Sequence, residues 1–83
     1  MTKYKFVRKL AKSLTNSGRT LNGNELARLL NRVGYKTNYG TPFAGARGVY
    51  KLISATWHRQ GKGKDAEMIA HAYTDQYGNF AWN

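Results

Sequence analysis

Arg47, Lys51, Ser54 and His58 are spaced at i, i+4, i+7 and i+11, so any helix that contains them carries them on one side, flanked by Tyr50. The stripe holds no acid, whereas a face kept only for solubility normally mixes signs. Arg and Lys at such positions suit the O6 and N7 acceptors of guanine, and a Ser hydroxyl suits a base edge or a phosphate. Arg47, Tyr50, Lys51 and Ser54 are therefore candidate base-reading residues. A second group, Lys5, Arg8, Lys9 and Lys12, falls at i, i+3, i+4 and i+7, again on a single helix face. With Lys36, Arg59, Lys62 and Lys64 it makes a set of candidate phosphate contacts, which would set affinity and register without reading sequence.

The charge is unevenly placed. Residues 1–64 hold all fourteen Lys and Arg against one acid, Glu25, a balance of +13. Residues 65–83 hold Asp65, Glu67 and Asp75 and no Lys or Arg, a balance of −3. Such a field attracts polyanions, and nucleic acid is the commonest, because phosphates bound by Lys and Arg release condensed counterions. Charge alone also fits a solubilising surface, a ribosome-like peptide or a membrane-seeking one.

Catalytic and metal chemistry is poorly supplied. Without cysteine there is no disulfide and no thiolate metal site. His58 and His71 lie on different predicted elements and lack companion ligands, so no metal is expected. Asp65 and Glu67 suit capping a strand, or pairing with Lys62 and Lys64, better than acid–base work. Ser13, Ser17 and Ser54 lack the Gly-x-Ser-x-Gly turn of a nucleophile elbow, and Gly61-Lys-Gly-Lys64 lacks the spacing of a phosphate-binding loop. The expectation is a protein that is not an enzyme and takes no cofactor.

Eighty-three residues with 41% hydrophobic content make one domain, 1–83, with enough apolar surface to fold. No apolar run reaches the length of a membrane span and no signal-peptide core follows the N-terminus, which points to a cytoplasmic protein without a membrane partner. Phe6, Val7, Leu10, Ala11 and Leu14 recur with helical spacing opposite the Lys5–Lys12 face, which predicts an amphipathic helix near 3–15, ended by Asn16, Ser17 and Gly18. A helix lying on a membrane surface would look similar. A second helix is predicted at 22–33. Asn22 is its N-cap, Glu25 stands at N3 of a capping box, Leu21 and Leu26 can form a staple, and Gly34 follows its end. Thr41-Pro42 predicts the start of a third helix running to His58, with Ala46, Val49, Ile53 and Trp57 inward. Gln60–Lys64 is expected to be a flexible basic link. Alternation from Met68 to Tyr73, turn residues at Asp75–Gly78 and the return at Asn79–Trp82 predict a β-hairpin near 67–82, which a short strand at 19–21 can join. Leu10, Leu14, Leu26, Leu30, Val49, Ile53 and Trp57 are expected to be buried.

Helix, short strand, helix, turn, helix and hairpin is the element order of a winged helix-turn-helix, an α+β fold of three helices and a C-terminal β-hairpin. Ala27-x-x-Leu30-Asn31-x-x-Gly34-x-x-Thr37-x-x-Gly40-x-x-Phe43, followed by the apolar helix at Val49–Ile53, resembles a segment of the DNA-binding region of large serine recombinases. The resemblance covers residues 25–53 and none of the catalytic part. It implies a DNA-binding module of the kind found in phages and mobile elements, without strand exchange. Where a tight helix-turn-helix has glycine, four residues after the small residue of its first helix, this chain has Asn31. Its turn is correspondingly longer.

The expectation is a regulator or accessory factor binding duplex DNA through helix 42–58 in the major groove, with helix 3–15 on phosphates. A homodimer is left open. The alternative is a small phage-encoded inhibitor that binds a host protein through Tyr35, Tyr39, Tyr77, Phe80 and Trp82, since exposed aromatics dominate interface hot spots. An RNA-binding module is a third option, for which no ribonucleoprotein motif is present.

Overall fold

Asn22 starts a helix with its own side chain. Its Oδ1 accepts from the Glu25 amide at 2.8 Å, and the Glu25 carboxylate accepts from the Asn22 amide at 3.3 Å, completing the capping box. Leu26, Ala27 and Leu30 then turn inward, and Gly34 closes the helix at φ 100°, donating to the carbonyls of Leu30 and Asn31. The computed structural model describes residues 2–74, apart from the Arg47 side chain. Its elements are α1 (Lys3–Asn16), β1 (Leu21–Asn22), α2 (Gly23–Val33), α3 (Ala46–Gln60), α4 (Lys64–Ala72) and β2 (Tyr73–Thr74). Together they make a small α+β fold of four helices and a two-stranded parallel sheet, in which Leu21 pairs with Tyr73 and Asn22 with Thr74.

The third helix begins four residues later than Thr41-Pro42 predicts, and the cause is Asn31. Its Nδ2 donates to the Phe43 carbonyl at 2.9 Å and its Oδ1 accepts from the Phe43 amide at 2.8 Å. Both backbone groups of Phe43 are thereby taken by one carboxamide, which holds residues 41–44 out of the helix and drives the ring into the core at 6% exposure. Thr37 braces the same turn: its hydroxyl shares a 2.8 Å bond with that of Thr41, and its amide donates to the Thr41 carbonyl at 2.9 Å. Gly40, at φ 77°, lets the chain reverse between them. The Ala46 amide at the start of α3 is capped from another helix, by Asn24 Oδ1 at 3.2 Å.

Helix α3 packs against α1, α2 and α4 and buries Val49, Leu52, Ile53 and Thr56. The Thr56 hydroxyl is satisfied by the Leu52 carbonyl at 2.7 Å. Leu14, Leu26, Leu30, Val49 and Ile53 are buried as expected, whereas Leu10 and Trp57 are half-buried at the margin of the core.

The hairpin expected near 67–82 is not formed over its first part. Residues 67–72 belong to α4, and those from 75 onward lie outside the described residues. Ala66, Ile69 and Tyr73 recur at i, i+3 and i+7, and Met and Ala are good helix formers. Asp65 and Glu67 stand in the first turn, where carboxylates favour the helix dipole. A nine-residue helix is marginal alone, so its packing on α1 and α3 decides the outcome. The segment expected to be a flexible link is a tight turn, in which the Lys62 amide donates to the Gln60 carbonyl and the Asp65 amide to that of Lys62, each at 3.1 Å.

Tyr73 is fully buried, and its hydroxyl donates to the Val7 carbonyl at 2.7 Å. Burial favours the neutral phenol and pushes its pKa well above the ordinary value of 10.0. The folded form holds this proton more tightly, so the stabilisation is complete below about pH 10 and is lost as pH rises beyond it. Melting temperature should fall from about pH 9 to about pH 11, and Tyr73→Phe should fall by less over that interval. Equal pH slopes in the two proteins would contradict the assignment. Asn31→Ala should cost about 1–3 kcal/mol, because it strands two polar groups of Phe43. Asn22→Ala, which loses a cap that water can replace, should cost about 1 kcal/mol. Thermal melts compare them directly, and a milder effect at Asn31 than at Asn22 would show that the turn does not depend on the carboxamide.

Candidate nucleic-acid interface

The basic residues divide into two groups in space. On the outer face of α1, Lys5, Lys9 and Lys12 are exposed and Arg8 is half-buried. Arg8, Lys9 and Lys12 line a cleft of about 350 Å³ with Asp65 of α4, whose carboxylate stands 3.9 Å from the Arg8 guanidinium. Asp65 thus pairs with α1 and not with the lysines beside it in sequence. Lys62 and Lys64 are exposed at the α3–α4 turn, Lys64 beside a second cleft that includes His71.

The other group gathers where the start of α1 meets the turn and α3. Lys3 and Lys51 line one groove of about 340 Å³, with Tyr4, Asn38, Tyr39 and Phe43 among its other walls. Lys3 Nζ donates to the Lys36 carbonyl at 3.1 Å and to Asn38 Oδ1 at 2.6 Å, tying α1 to the turn. The Lys36 side chain itself is exposed. The Arg59 guanidinium lies 4.7 Å from the centroid of the Tyr4 ring, a cation–π contact between α3 and α1 that keeps its charge.

Along α3, Lys51 and His58 are exposed and Ser54 is half-buried; Arg47 occupies the first turn. Tyr50 leans toward α2: a Cβ added to Gly23 would stand 3.1 Å from its ring and 2.8 Å from the Cβ of Ala46. Its packing against α2 leaves it half-buried, a poorer base-reading candidate than Lys51. His58 sets its ring edgewise to Trp57 at 5.2 Å.

Lys3 and Asn38 escape the sequence pattern, and Tyr39 enters it only as a protein-binding aromatic. By helical count Lys3 falls on the apolar side of α1, ahead of Phe6 and Val7, so periodicity gives it no place on the basic face. Asn38 and Tyr39 lie in a turn, where no period exists. Of the aromatics expected at a protein-binding surface, Tyr35 is half-buried and packs on Phe6 at 5.1 Å, Tyr39 is 94% exposed, and Tyr77, Phe80 and Trp82 lie outside the described residues.

The acids are committed elsewhere. Glu25 is held by the Asn22 amide, Asp65 by Arg8, and Glu67 stands in the first turn of α4. Among the described residues Arg8 is the one Lys or Arg within ion-pair distance of a carboxylate. Among them, too, no group of three His, Asp or Glu gathers as a metal site, and no helix is long and apolar enough to cross a membrane. Compared with protein-family models, with characterised proteins and with solved structures, the chain matches none.

Proposed function

We propose that this chain is a small DNA-binding domain that engages duplex DNA with the exposed side of α3 in the major groove. Phosphates are held by Lys5, Arg8, Lys9 and Lys12 of α1 and by Lys36, Arg59, Lys62 and Lys64. The observation that carries this reading is the weakly neutralised surface: among the described residues no exposed lysine of α1, α3 or the α3–α4 turn lies within ion-pair distance of a carboxylate, and Asp65 and Glu67 are the acids that line the clefts beside them. A polyanion is the partner such a surface favours.

Helices α2 and α3 are packed together and joined by a braced turn, which supports their working as a helix-turn-helix with α3 as the reading element. The helix α4 stands where the first strand of a wing was expected, so the wing is no part of this proposal. The resemblance of residues 25–53 to recombinase DNA-binding regions supports a role as a phage or mobile-element regulator or accessory factor. A cytoplasmic setting goes with that role.

Gel shifts against duplex DNA, single-stranded DNA and RNA at two salt concentrations test the proposal, with duplex binding that weakens steeply with salt as the expected result. Lys9→Ala or Lys12→Ala should weaken all duplexes alike and lower the salt slope by about one unit each. Arg47→Ala or Lys51→Ala should cost about 1–3 kcal/mol on the preferred site and flatten discrimination between sites. If site preference survives the α3 substitutions but not those in α1, the recognition helix is the other one. If none of the four alters DNA affinity, the charge serves another partner, and binding to a host protein takes precedence.

A further inference from the structure

Two glycines near the N-termini of α2 and α3 differ in what requires them. At Gly23 a side chain would collide with Ala46 and Tyr50, so close packing explains the residue. At Gly48, the third residue of α3, an added Cβ would meet nothing within 4 Å. Neither packing nor a left-handed backbone requires this glycine, although glycine weakens a helix relative to almost any other residue. Gly48 forms part of the wall of the groove that holds Lys3 and Lys51, and the space beside its Cα is open. A helix glycine without a packing role is what close approach of a ligand to the backbone calls for.

The remaining lining identifies the ligand. Phe43, Leu52 and Ala55 give the groove an apolar part, and among the described residues that line it none is acidic. Lys3 is aimed by two neutral acceptors, the Lys36 carbonyl and Asn38 Oδ1, so its charge is positioned without being cancelled. Tyr39, 94% exposed on a turn braced by Asn31 and Thr37, offers a ring at the groove. Apolar lining, an aromatic ring and two ammonium groups are complementary to the base and phosphate of one nucleotide. Inside a duplex the base is stacked and paired, so only an unpaired nucleotide presents both parts.

We infer that the groove between the start of α1, the 37–44 turn and Gly48 of α3 receives an unpaired nucleotide beside the duplex. This deepens the DNA-binding proposal and rests on it: the groove adjoins Lys51 of the reading helix, so a single-stranded extension, gap or flap next to the bound duplex would enter it.

Fluorescence anisotropy titrations with a blunt duplex, the same duplex bearing a short single-stranded extension, and the single strand alone test the inference. The extension should tighten binding by about 5- to 150-fold, the range for stacking of one base on an aromatic ring. Gly48→Leu should fill the groove and abolish that gain, read as the ratio of extended-duplex to blunt-duplex affinity within the same variant, so that any effect of the leucine on the blunt duplex cancels. The variant's melting temperature should equal or exceed that of the parent, because leucine favours a helix over glycine, so misfolding cannot produce the result. Gly48→Ala should keep most of the gain, and Tyr39→Ala, at an exposed position, should lose much of it.

An extension that adds nothing to the parent protein, or a gain that survives Gly48→Leu, overturns the inference while blunt-duplex binding still supports the wider proposal. Single-strand binding abolished by Gly48→Leu without any duplex binding overturns the wider proposal and upholds the groove. Binding to none of the three probes overturns both.

Discussion

The carboxamide of Asn31 is the constraint on which the rest of the molecule depends. By taking both the amide and the carbonyl of Phe43 it does for one residue what a strand partner would do, in a region that has no strand. It sets where α3 can begin, carries the Phe43 ring into the core, and shapes one wall of the Lys3–Lys51 groove. The other residues of the Ala27–Phe43 pattern serve the same end. Ala27 and Leu30 seat α2, Gly34 and Gly40 supply the two left-handed backbones, and Thr37 ties the turn across to Thr41. The pattern is therefore a specification for a long, rigid interhelical turn, and Asn31 stands at the position of a short turn's glycine because it has a partner twelve residues on.

Features written in local chemistry were legible in the sequence, and features decided by distant partners were not. The α2 cap needs only Asn22 and Glu25, three residues apart, and both bonds form as read. Helix α3 starts later than Thr41-Pro42 predicts because Asn31 overrides that local signal from another helix, with Asn24 supplying the cap that α3 lacks. Residues 67–72 satisfy both periods: Met68, Ala70 and Ala72 share one face at period 2, while Ile69 and Ala72, three apart, share one helix face. Burial of Ile69 and Ala72 against neighbouring helices then selects the helix. At the candidate site, the basic faces of α1 and α3 could be read from spacing, but the groove could not. It is assembled from a helix start, a turn and a glycine, none of which carries a periodic signal.

The few acids explain how so positive a chain remains ordered. Each described carboxylate is spent on a helix N-terminus, Glu25 at α2 and Asp65 and Glu67 at α4, where it offsets exposed amides and the positive end of the helix dipole. Only Asp65 also meets a cation across elements, and at 3.9 Å in a half-exposed setting that pair contributes little. Lys3 and Arg59 are positioned instead by carbonyl, amide and aromatic partners, which orient a charge without neutralising it.

The bond from Tyr73 to Val7 joins residues 66 positions apart, and the sheet that Tyr73 enters has its other strand at Leu21–Asn22. Closing so long a loop costs chain entropy that the contacts it brings together must offset. Among the described elements α1 is synthesised before the others, yet the buried ring that completes its packing is added only at residue 73. Until then a basic amphipathic helix stands with part of its apolar face uncovered. The first and last described elements therefore hold each other in place, and neither is completed without the other.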